Sequence, residues 1–79
     1  MNMRTEYEDT CEITELKTGK TITGEIIRFL PGKVLDATIN RAVKVTLVWN
    51  EKHKVYQGSM AGLELQTVGP TARTYRSHR

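Results

Sequence analysis

Apolar and polar residues alternate along several short runs of this chain, and glycine, proline and asparagine separate the runs. Alternation with a period of two is the mark of a half-buried strand. The clearest run is Ala42 to Trp49, with Val43, Val45, Leu47 and Trp49 on one face against Lys44, Thr46 and Val48. Residues 11–17 predict a first strand, with Cys11 and Ile13 on one face and Leu16 on the other, so a bulge or a two-sided strand is implied. Residues 20–30 predict a longer second strand. In it Ile22 and Ile26 share a face on either side of Gly24, and Ile27 and Phe29 take the opposite face. A lone glycine inside a strand marks a bulge, a bend or close backbone approach. Lys54 to Ala61 returns as a strand interrupted by Gly58, and residues 63–67 make a last short strand after a corner at Gly62.

Turn chemistry supplies the punctuation. Lys17 to Lys20 holds Gly19, which takes φ > 0 at little cost. Pro31-Gly32-Lys33 and Asn50 to His53 are the next two turns. Val34 to Asn40 fits either a short strand or part of a structured loop. Residues 1–10 lack alternation and read as disorder or one helical turn. Met1, Met3 and Tyr7 have helical spacing, and Thr5 with Glu8 has the spacing of a capping box. Gly69-Pro70 ends the patterned region, and Thr71 to Arg79 predicts a mobile basic tail holding Arg73, Arg76, His78 and Arg79. The expectation is an all-β fold. A small, strongly bent, five-stranded antiparallel barrel spans 11–68, between a flexible acidic segment 1–10 with room for a helical turn and a tail over 69–79.

At 79 residues and 38% apolar content the chain is one domain with a modest core. One cysteine, Cys11, allows no internal disulfide, and Cys11 with His53 and His78 falls short of a zinc site. Oligomerisation is therefore the expected source of extra burial. No apolar run approaches the length of a membrane span. The polar start and the single thiol predict a cytoplasmic protein. Charge is uneven. Residues 1–16 carry five acids against Arg4, a net −4, and the rest carries eleven cations against four acids, a net +7. A basic body suits a polyanionic partner, or is simply a solvated surface. No carboxylate pair, phosphate-cradling loop or metal spacing stands out, and Cys11 reads as a buried structural thiol. No enzyme activity, cofactor, metal, membrane or small-molecule substrate is expected.

LKTGKTITGEI resembles the first half of the first motif of the Sm-like family (Sm, Lsm and Hfq-type proteins), through Leu16, Gly19, Ile22, Gly24 and Ile26. Asp36-Ala37-Thr38-Ile39-Asn40 resembles that motif's Asp–x–x–Met–Asn element, and Tyr56-Gln57-Gly58-Ser59-Met60-Ala61 echoes the second motif. The likeness covers residues 11–67. The chain departs from the family in a longer stretch around LPGK, in Thr38 where an aromatic or His is frequent, and in Gln57 where Arg is usual. The resemblance implies an Sm-like (SH3-like) barrel. It also implies a homo-oligomeric ring of about five to seven subunits, made by pairing the fourth and fifth strands of neighbours, with single-stranded RNA bound at pore-facing loops.

On that reading the RNA-binding residues are Asp36, Thr38, Ile39, Asn40, Arg41, Tyr56, Gln57 and Gly58. The chemistry required is stacking planes, base-edge amides and phosphate-neutralising cations. Asn40 serves a base edge or stabilises its own loop. Gln57 contacts a base or phosphate, or faces solvent. Asp36 is suited to anchoring a loop, and Tyr56 to stacking or to a core or interface. Lys33, Arg41 and Lys44 could meet phosphate, and Trp49 packs at a strand end. The alternatives are a protein-interaction or scaffold ring that binds RNA weakly or not at all, and a monomeric SH3-like adaptor.

Overall fold

The computed structural model describes residues 3–76. Among the described residues there are eight strands: β1 (Met3–Tyr7), β2 (Thr10–Glu15), β3 (Thr21–Leu30), β4 (Val34–Ile39), β5 (Val43–Asn50), β6 (Val55–Met60), β7 (Leu63–Thr67) and β8 (Ala72–Arg76). Strands β2 to β7 follow one another around a closed antiparallel barrel, and β1 pairs with β8 in a separate two-stranded ribbon. The barrel therefore has six strands rather than five. Val34–Ile39 is a full strand, because Leu35, Ala37 and Ile39 alternate into the core while hairpins on both sides supply partners. Among the described residues no helical turn forms at the start. Residues 3–7 pair with the segment expected to be a loose tail, in register from Met3 opposite Arg76 to Tyr7 opposite Ala72. The ladder begins where both chain ends leave the barrel, with the Glu8 N–H donating to the Thr71 carbonyl at 3.0 Å. Met1, His78 and Arg79 lie outside the described residues.

The core is Cys11, Ile13, Leu35, Ala37, Ile39, Val45, Leu47, Tyr56 and Leu65, with Ile22, Ile26, Phe29, Trp49 and Met60 packed against it. Burial pushes the Cys11 thiol above its ordinary value, against an opposing hydrogen bond with Thr67. Strand β3 corrects one expected face. A register shift between Ile26 and Arg28 leaves Ile27 as an extra, exposed residue, and this turns Phe29 back toward the interior beside Leu35. The bulge thus lies three residues past Gly24. Gly24 has a different task, since a Cβ there would stand 2.6 Å from Ile13 Cδ1. Gly58 is tighter still, with its missing Cβ 2.4 Å from the Thr46 carbonyl oxygen and 2.8 Å from Leu47 Cδ2.

The barrel closes through a short seam. Thr14 pairs with Gln66 and Glu15 with Leu65, and the Leu16 N–H donates to the Glu64 carbonyl. Beyond the seam the wall opens into a cleft of about 550 Å³ lined by Glu8, Thr10, Cys11, Glu12, Val68 and Thr71, among others. Turns 16–20, 40–42 and 61–62 lie at one end of the barrel, and turns 31–33 and 51–54 lie at the other with the ribbon. At the first end the Glu15 carboxylate accepts the Thr18 hydroxyl and the Lys17 and Thr18 N–H groups. These bonds, led by the Thr18 hydroxyl, hold its pKa below 4.5. A lowered folded-state pKa gives stability that is present above the unfolded value and is lost as pH falls through the folded one.

Two substitutions separate backbone from side-chain crowding. Gly58→Ala should cost about 3 kcal/mol, because the Thr46 carbonyl belongs to a paired strand and cannot move aside. Gly24→Ala should cost under about 1 kcal/mol, because the Ile13 terminal methyl can turn away and alanine restricts the unfolded chain. Urea unfolding measures both, and equal losses would show that Gly58 does not lie against the Thr46 carbonyl. Acid titration of unfolding should likewise show Glu15→Gln losing less stability than the parent as pH drops below 4.5.

Candidate nucleic-acid interface

The eight residues expected at an RNA site fall into separate places. Ile39 and Tyr56 are core residues. Asp36 is buried on the outer side of β4, where it accepts the Thr46 hydroxyl at 2.7 Å and Arg28 Nε at 3.1 Å. Gly58 lies against the Thr46 backbone. Asn40 and Arg41 form the β4–β5 turn with φ of 55° and 57°, closed by the Ala42 N–H on the Ile39 carbonyl. Asn tolerates this left-handed conformation better than most residues, so the backbone alone accounts for Asn40. Arg41 pairs with Glu25 at 3.4 Å, and Thr38 stands in register between Glu25 and Lys44. This cluster lies at the opposite end of the barrel from Tyr56 and Gln57, so the two halves of the expected site do not meet.

Gln57 belongs to a different set. Strand register places Leu30 opposite Val34, Val34 opposite Val48, Val48 opposite Gln57, and Gln57 opposite Gln66. The result is an outward row across five strands, roughly 20 Å wide at the usual strand spacing. Its first part is apolar, with Leu30 42% and Val48 56% exposed. Its second part is amide. Asn50 Nδ2 donates to Gln57 Oε1 at 2.8 Å, and Gln57 Nε2 donates to Gln66 Oε1 at 3.5 Å. Asn50 Oδ1 accepts the Lys52 and His53 N–H groups, so one side chain shapes the turn and aims the ladder. The Gln66 amide nitrogen has no partner among the described residues.

Cations and rings border this row. Lys33, Lys52, His53 and Lys54 are exposed on the two adjoining turns, which the Trp49 N–H joins through the Lys33 carbonyl at 2.9 Å. Trp49 is half-buried at the barrel mouth, 4.8 Å from the Tyr56 ring, and its indole N–H donates to Glu51. Glu51 also binds Lys54, and the Lys54 bond first, then the Trp49 bond, hold its carboxyl below the ordinary value. Arg28, Lys33, Lys52 and Lys54 outnumber Asp36 and Glu51 here by two charges. The acids Glu6, Glu8, Asp9 and Glu12 lie on β1, β2 and the link between them. Among the described residues no group of three or more His, Cys, Asp or Glu could hold a metal ion.

Reasoning from the sequence missed Asn50 and Gln66. The signal was available: a hairpin tip at Ala61-Gly62 fixes Met60 opposite Leu63 and hence Gln57 opposite Gln66. No family of known proteins, no curated protein and no solved structure matches this chain.

Proposed function

We propose that the chain binds single-stranded RNA across the outer face of β3 to β7, beside the mouth that holds Trp49. The observation that carries this reading is the row itself, an apolar stripe continuous with an amide ladder and bordered by cations on two turns. Bases seek apolar or aromatic surface for their faces and amides for their edges, and lysines neutralise phosphate. Gln57 and Gln66 supply the amides, Val34, Val48 and Leu30 the surface, and Lys33 and Lys52 the charge. Trp49 offers the ring at one margin. Neither the ring assembly nor the Asn40–Arg41 turn enters into this mode of binding.

A second reading rests on the exposure of Leu30 and Val48. An apolar stripe of this kind also seats a partner protein, in keeping with an adaptor or scaffold.

Trp49 is the only tryptophan, so its fluorescence reports on the site directly. Oligo-U or oligo-A should quench it, with affinity falling as salt rises. Lys33→Ala and Lys52→Ala should each reduce the log–log salt slope by about 0.7. Gln57→Ala should weaken binding without changing that slope. Affinity no tighter than about 10⁻⁴ M at low salt, the level of weak non-specific binding, rejects the RNA reading in favour of the protein one.

A further inference from the structure

We propose that two copies of this chain join edge to edge through β1, completing a four-stranded sheet in the order β8–β1–β1–β8. This assembly is independent of how the barrel face is used. The barrel strands already have neighbours on both sides, and β6 and β7, the strands that would build a ring on the Sm-like pattern, are paired with each other. The ribbon is different. It has two strands, and each has one edge without a strand partner among the described residues. A lone two-stranded ribbon is marginal in water, and an open edge is a template for another strand.

Backbone parity identifies what the β1 edge presents. The Glu8 N–H donates to the Thr71 carbonyl, so the pairs Glu8–Thr71, Glu6–Arg73 and Arg4–Tyr75 direct their N–H and C=O groups into the ribbon. Met3, Thr5 and Tyr7 must then direct theirs to the free edge. An antiparallel two-fold pairing centred on Thr5 satisfies all of them. Thr5 stands opposite Thr5 of the second copy, and Met3 opposite its Tyr7, as hydrogen-bonded pairs. The same operation puts Arg4 and Glu6 at facing register positions, so the sequence of β1 complements itself. Strand β8 has two arginines and no acid, so pairing β8 with its own copy lacks that complementarity. No proline or glycine blunts β1. At its base Tyr7 packs edge-on against Phe29, with ring centroids 4.9 Å apart, and this fixes the ribbon to the barrel.

The test uses the full chain and three variants. Wild type should sediment as twice 9.0 kDa at about 100 µM, a concentration that populates any dimer of micromolar Kd. Thr5→Pro removes an N–H that points away from β8, so the ribbon ladder survives while the dimer Kd rises at least about tenfold. Thr5→Cys should oxidise to a covalent dimer, since facing residues of a hydrogen-bonded pair have Cα atoms about 5.5 Å apart. Arg4→Cys, which faces Glu6 of the second copy, should not. A 9.0 kDa species throughout, or a larger ring unaffected by Thr5→Pro, overturns the proposal. So does Arg4→Cys cross-linking as readily as Thr5→Cys. The cysteine pair decides the matter even where the proline variant fails to fold.

Discussion

Four aromatic rings in series hold one end of this barrel. Tyr7 meets Phe29 at 4.9 Å, Phe29 meets Tyr56 at 5.5 Å, and Tyr56 meets Trp49 at 4.8 Å. The series links β1, β3, β6 and β5, and so ties the ribbon to the barrel and joins β3 to β6 across the interior, where no ladder connects them. Tyr56 is its centre. Its hydroxyl accepts the Gly32 N–H at 2.8 Å, and its ring lies 3.2 Å from where a Cβ on Gly69 would stand. The β3–β4 turn and the chain leaving β7 are thus seated on one ring. Aromatic contacts of this kind add about 0.5–1.5 kcal/mol each beyond their burial, a large share of the stability of so small a core.

The face proposed to bind RNA inherits its geometry from that cluster. Trp49 is fixed by Tyr56 below and by Lys33 beside it, so the two lysine-bearing turns are held as one rim. The bulge at Ile27 has a matching effect. By returning Phe29 to the interior it directs Leu30 outward, where it heads the apolar stripe. A strand without the bulge would bury Leu30 and expose Phe29, removing both the ring contact and the stripe.

Much of the barrel was legible in the residues. The alternation in Val43–Trp49 and the turns at Gly19, Gly32 and Gly62 place five of the six barrel strands, and Gly24 and Gly58 mark close approaches. Val34–Ile39 was ambiguous because Asp36 interrupts an apolar run, and only the Thr46 and Arg28 partners explain a carboxylate there. The ribbon was not legible. The alternation in residues 3–7 is confined to Met3 and Tyr7 around Thr5, too short to stand out, 72–76 has no matching apolar pattern, and their pairing follows from the barrel bringing the two chain ends together. For the site, motif resemblance pointed to Asn40 and Gln57 as one cluster, whereas register puts them at opposite ends. Counting along the β6–β7 hairpin would have found the Gln57–Gln66 pair; aligning motifs could not.

The measurement that tests the central claim most directly is an amide-resolved NMR titration of the protein with oligo-U. Binding at the proposed face should shift the side-chain amides of Gln57 and Gln66 and the Trp49 indole N–H, and should leave Asn40 and Arg41 unmoved. Shifts confined to the Asn40–Arg41 turn, with the Gln57 and Gln66 amides still, would contradict it.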